Sequence, residues 1–302
     1  MTGPWLGGDR GFLADWVTQR WVRLTGRRLR LPDHPWIQGP MGEPDGIGSE
    51  FYERLARENL LEVEHDAVAG LMPNFQILAA PAFDPATVRP EITRFYERTA
   101  QYRLDAWSQW HGFFRPFGWL LALIFSRRLQ QLNIPLSPLA TSRGLSSRIV
   151  SVVDPTTREK RHIGWVRVVT ASHQVVYVGD YSTCVPPGFA GPCVRVVFPL
   201  PNGNATVILR PEAMPDGSLT LHSSGRRFGD PGFYFVVREA RGSEHAWVRY
   251  MPTMRERIHV YLEHGELHTD HFFRIWGVPY LQLHYRMMLS DREEGEKRDQ
   301  PI

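Results

Sequence analysis

Two hydrophobic periods divide this chain. In its first part, apolar residues recur at helical spacing. Phe12, Leu13, Trp16, Val17, Trp21 and Leu24 predict a short amphipathic helix over 12–24. Pro32, Pro35, Pro40 and Pro44, with four glycines among residues 31–48, mark a linker. Ser49 is placed to cap a second helix running to about Leu61. A longer one is expected from Pro90 to Trp110, with Ile92, Phe95, Tyr96, Thr99, Tyr102, Ala106 and Trp110 on one stripe. Phe113–Leu132 follows, apolar on nearly every side through Trp119–Phe125. A helix of that kind is buried, as a plug or lid, or meets lipid with Arg127 and Arg128 at headgroup level.

From Ile163 the period becomes two. Ten runs of five to nine residues, rich in Val, Tyr, Phe and Trp, alternate with Gly, Pro and Asp punctuation, from Trp165–Val169 through Tyr280–Met287. Connections this short build antiparallel neighbours, and so many strands favour a sheet that closes or nearly closes on itself. The pattern predicts an α+β protein. Residues 1–89 would form an N-terminal helical section with its linker, and 90–161 a helical section carrying the apolar helix. Residues 162–288 would form a β-meander in a barrel or strongly curved sheet, lipocalin-like or helix-grip-like, and 289–302 a polar tail.

Composition narrows the function. The 35 basic residues (33 Arg and two Lys) exceed the 32 acidic ones by three, too little for a nucleic-acid partner. The N-terminus lacks the basic-then-apolar order of a secretion leader, and no apolar run reaches the roughly 18–20 residues that cross a bilayer. The expectation is a cytoplasmic protein whose Cys184 and Cys193 are free thiols. No phosphate loop, dinucleotide fingerprint or zinc spacing is present, so neither cofactor nor metal is implied.

Candidate chemistry concentrates in Arg257–Phe272. With His264-Gly265 as a two-residue turn, His259 faces Asp270 and Tyr261 faces His268, while Ile258, Val260, Thr269, His271 and Phe273 share the other face. A carboxylate beside an imidazole suits a general base, and equally an outer-face ion pair. His271 would be a lone imidazole among apolar neighbours, placed to orient a ligand or held as a core histidine. The Gly-rich loop with Arg226 and Arg227 suits an anionic head group or a plain surface turn. Arg167, Arg195 and Arg249 each sit within a strand among apolar neighbours, a pattern that stacks a planar ligand or lets Arg stems cover Trp rings.

Phe198-Pro199-Leu200-Pro201-Asn202-Gly203 and Asp216-Gly217-Ser218-Leu219-Thr220-Leu221, within a stretch from Pro90 to Met287, resemble an uncharacterised bacterial protein family. The resemblance implies that 90–288 is the natural unit and transfers no activity. The leading expectation is binding of a hydrophobic small molecule such as a lipid, terpenoid or polyketide. Trp119, Leu120, Ile124, Trp165, Phe233, Trp247 and Tyr285 would contact it, and Arg226, Arg227 or His271 would meet its polar end. One alternative is a cofactor-independent isomerase, cyclase or hydrolase using His259 with Asp270, or His271. Another is a peripheral membrane protein docking through 113–128.

Overall fold

The computed structural model describes residues 4–112, 114, 131, 145–169 and 175–290. In chain order these form α1 (Leu13–Thr25), β1 (Arg27–Arg30), α2 (Phe51–Glu58), β2 (Glu62–Glu64), α3 (Pro90–Glu97), β3 (Tyr102–Trp110) and β4 (Leu145–Val153). Then come β5 (Lys160–Val169), β6 (Val175–Cys184), β7 (Cys193–Leu200), β8 (Gly203–Ala213), β9 (Leu219–Ser223) and β10 (Phe233–Arg238). The last four are β11 (His245–Tyr250), β12 (Met254–Glu263), β13 (Glu266–Ile275) and β14 (Val278–Leu289). All ten strands expected after residue 162 are present, and the N-terminal helices precede an antiparallel meander.

The helix expected over 90–110 is half strand. After α3 and a single 3-10 turn, β3 runs with Tyr102, Leu104, Ala106 and Ser108 buried and the residues between them turned outward. Positions four apart share a face in a strand as well as in a helix, so the stripe Tyr102–Ala106–Trp110 fits both periods. β4 is a further strand within 90–161, so that section is not simply helical. The apolar stretch Phe113–Leu132, with Trp119, Leu120 and Ile124, lies outside the described residues apart from Phe114 and Gln131.

One antiparallel sheet holds the strands in the order β1-β11-β10-β8-β7-β6-β5-β4-β3-β14-β13-β12-β9, with β2 added beside β4. β8 pairs with β7 along one edge and divides the other: Gly203–Val207 pairs with β10, and Arg210–Ala213 pairs with β9. Among the described residues, β3 and β4 are joined by the pair Leu104 with Leu145. The turn at His264-Gly265 is as expected: both residues have positive φ, as a type I′ hairpin requires, and His259 lies opposite Asp270.

The N-terminal third covers the sheet on both sides. α2 lays Phe51, Tyr52 and Ala56 on Val150, Val152 and Val166 of β4 and β5. Gly164 makes that approach possible, because a Cβ there would overlap the Tyr52 ring. Trp36 and Ile37 pack on Tyr234, Val236 and Val248. On the opposite face, residues 69–96 bring Leu71, Phe75, Ile92, Phe95 and Tyr96 against Leu104, Val196, Leu209, Leu221 and Val260. α1 inverts its sequence pattern. It buries Asp15, Gln19 and Val22 and leaves Leu13, Val17, Trp21 and Leu24 exposed, Leu24 by 85%. Gln19 is drawn inward by a hydrogen bond from its Nε2 to the Pro201 carbonyl at 3.0 Å.

Candidate functional site

One face of the sheet lines a cavity of about 550 Å³. Its walls alternate in from the strands as period two demands: Ile258 and Val260 from β12, Thr269, His271 and Phe273 from β13, Leu283, Tyr285 and Met287 from β14. β5 to β7 add Trp165, Arg167, Tyr177, Tyr181, Val196 and Phe198, and Leu71, Phe95 and Tyr96 of the N-terminal segment also line it. Gln131 reaches the same space and is fastened to β6 and β7, accepting from the Val178 amide at 2.9 Å and donating to the carbonyls of Val178 and Pro199.

Among the polar groups on these largely apolar walls, two arrangements stand out. The first is a pair: His271 Nε2 lies 3.1 Å from Glu256 Oε2, with the imidazole against the Phe273 ring at 3.9 Å between centroids. The second is Arg167, only 2% exposed. Its guanidinium carbon sits 4.8 Å from the Tyr285 ring centre, 5.0 Å from Trp165 and 5.6 Å from Tyr177. The cation is drawn to these rings, and the Tyr177 and Tyr285 hydroxyls also accept hydrogen bonds from it. Its Nε and Nη2 have no hydrogen-bond acceptor. Burial pushes the Tyr285 phenol up to about 12, so that ring stays a neutral hydroxyl donor at physiological pH. Trp165 is itself held by donation from its Nε1 to Ser147 Oγ at 2.9 Å, whereas the Trp110 Nε1 in the cavity wall has no partner.

Of the expected site residues, Trp165, Phe233, His271 and Tyr285 line this cavity. The others described do not. Arg226 and Arg227 lie in a surface loop whose backbone N–H groups both donate to Asp230, and the Arg227 side chain is 84% exposed. The carboxylate that would have competed with an anionic ligand already caps that loop. Trp247 sits on β11, away from the cavity, on the extension of the sheet beyond β10.

His259 and Asp270 are register neighbours but do not form a dyad. Ser218 Oγ donates to Asp216 at 2.6 Å and therefore accepts from His259 Nε2 at 3.0 Å. Asp270 instead accepts hydrogen bonds from His284 Nδ1 at 2.9 Å and from the Tyr261 hydroxyl at 3.3 Å. With Nδ1 of His284 donating, its Nε2 accepts from His268 Nδ1 at 3.3 Å. His259, Tyr261, His268, His284 and Trp107 thus form a row of rings across the outer face, at 4.9 to 5.8 Å between centroids. Among the described residues no group of three potential ligands converges on a metal position.

Arg167 carried a sequence signal, an arginine between Val166 and Val168 in a strand, but the same signal marks Arg195 and Arg249, which bond outward to carbonyls of Pro35 and Thr25. Glu256 carried none, being one acid in a charged run. Cys184 and Cys193 face each other across β6 and β7 as free thiols. Burial pushes the Cys184 thiol up to about 11 and Cys193 higher still, which removes both as nucleophiles near neutral pH.

Over 244 residues the chain is 27% identical to the uncharacterized membrane protein YndJ of Bacillus subtilis (strain 168), a match covering 79% of this chain and 41% of that protein. The chain spans about two fifths of the length of that relative. The resemblance to uncharacterised bacterial proteins therefore holds at the level of sequence. No family model matches the chain, and no solved structure does. Among the described residues no helix is long and apolar enough to cross a membrane.

Proposed function

We propose that the protein binds an apolar or amphipathic small molecule inside its sheet. The observation that carries this reading is the cavity of about 550 Å³ with walls of Leu, Val, Phe, Tyr and Trp, within the range of small-molecule sites. The strand pairings support an enclosing shape. Followed from β8 through β7, β6, β5, β4, β3, β14, β13, β12 and β9, they return to β8, and we read these ten strands as a barrel-like wall. A packed core tolerates few voids of this size unless something fills them.

Native mass spectrometry of the freshly purified protein, followed by organic extraction, tests the reading. An adduct that disappears on extraction, or uptake of added hydrophobic compounds, is the expected result. A protein that is empty and takes up nothing from a hydrophobic library overturns it.

A second reading, a cofactor-independent isomerase, cyclase or hydrolase in the same cavity, is favoured by the His271–Glu256 pair. A carboxylate on one ring nitrogen leaves the other basic and oriented, as a general base requires. His271→Gln separates the readings: ligand uptake retained with turnover lost supports an enzyme, and unchanged turnover of any substrate found removes His271 from its chemistry.

A further inference from the structure

A buried cation without an anion is costly, and proteins rarely leave one unpaired. Arg167 is such a cation. The rings of Trp165, Tyr177 and Tyr285 surround its guanidinium, the Tyr177 and Tyr285 hydroxyls accept hydrogen bonds from it, and Nε and Nη2 are the buried nitrogens left without an acceptor. They form a matched pair of parallel donors. The same two nitrogens of Arg28, at the surface, grip the two oxygens of Glu239 at 2.9 Å each, which shows what the fork accepts. The described lining residues include two carboxylates, Asp15 and Glu256, and Glu256 is engaged by His271 at 3.1 Å.

The geometry points to an acidic ligand: we infer that the molecule bound in the cavity is an amphipathic monocarboxylate whose two oxygens are held by Nε and Nη2 of Arg167, with its apolar part along the walls. This rests on the reading of the cavity as a ligand site and names the class of ligand. A carboxylate fits better than a phosphate because Arg167 is the one arginine among the described lining residues, and no lysine joins it. One cation balances one negative charge, whereas a phosphate dianion would leave charge uncompensated in an apolar enclosure. The neutral Tyr phenols around it can donate further hydrogen bonds to the same oxygens.

The test compares three probes of equal chain length, dodecanoate, dodecanol and dodecyl phosphate, by titration calorimetry on the full chain, with Trp fluorescence as a second readout. Dodecanoate is expected to bind at least tenfold tighter than dodecanol, a difference of about 1.4 kcal/mol. Arg167→Met should abolish that preference while keeping dodecanol binding, and Arg167→Lys should lose most of it, since an ammonium keeps the charge but not the fork. Arg167→Met is also expected to melt higher than the ligand-free parent, because it removes an unpaired buried charge, so a folding defect is visible separately from a binding defect. Equal binding of dodecanoate and dodecanol, a preference that survives Arg167→Met, or tighter binding of dodecyl phosphate overturns the carboxylate assignment and leaves the cavity reading standing. Failure of all three probes to bind overturns both.

Discussion

Strands β12, β13 and β14 show two faces of opposite character. Inward they present Ile258, Val260, Thr269, Leu283 and Met287, with the hydrogen-bonded ionisable pair His271–Glu256. Outward the same strands present His259, Tyr261, His268, Asp270 and His284 in a continuous network of stacked rings and hydrogen bonds. The outer face has more titratable groups, yet its polar atoms satisfy one another in partial contact with water, where each bond is worth little. The inner face has few, and low dielectric magnifies each of them. Density of catalytic residue types is therefore a poor guide here, and an isolated polar group in an apolar wall a better one.

The comparison is most severely tested by charge. Val260, 1% exposed, points into the cavity, and its neighbour Tyr261 points out. Val260→Asp is expected to cost more than about 3 kcal/mol in urea unfolding, as a buried unpaired carboxylate does. Tyr261→Ser should cost about 1 kcal/mol from lost ring contacts. Comparable losses in the two variants would mean that the faces do not differ as described.

Next in size is the inner pair. Glu256→Ala strips His271 of its partner and should destabilise by about 1–3 kcal/mol. On the outer face, His284→Ala removes one member of a solvated network and should cost under about 1 kcal/mol by the same measurement.

The smallest effect is pH dependence. Burial holds the imidazoles of His222 and His259 below their ordinary value of 6.5. The unfolded chain therefore takes up protons first on acidification, so their contribution is complete above about pH 6.5 and declines as the pH falls, levelling off below the folded-state values. The double variant His222→Gln, His259→Gln should lose less stability between pH 7 and 5 than the parent. An identical acid slope would exclude these two rings as its source.

The meander was legible in the sequence because alternation leaves a strong trace. Val194, Val196 and Phe198, or Ile258 and Val260, repeat every second residue whatever they pack against. The 264–265 turn was equally local, since a glycine that accepts positive φ sets the hairpin register by itself. β3 was not, because its inward residues also satisfy a helical spacing and only pairing with β14 selects the extended form. α1 misled for a related reason. An apolar stripe records a tendency to be covered, and the fold instead seats Gln19 and Asp15 inward, leaving Val17, Trp21 and Leu24 in solvent.

Local order along the chain, then, determined the strands, the hairpin and which residues of β12 and β13 share a face, because periodicity and turn geometry act over a few residues. It did not determine which face is the interior. That was decided when β9 paired with both β8 and β12 and the N-terminal segment packed its Phe95 and Tyr96 inside. The same step separated Arg167 from Arg195 and Arg249, three arginines of like sequence setting. The burial of Arg167 among rings, with two donors left without an acceptor, depends on Tyr177 of β6 and Tyr285 of β14 as well as on Trp165 of its own strand, and no span of neighbouring residues contains all of them.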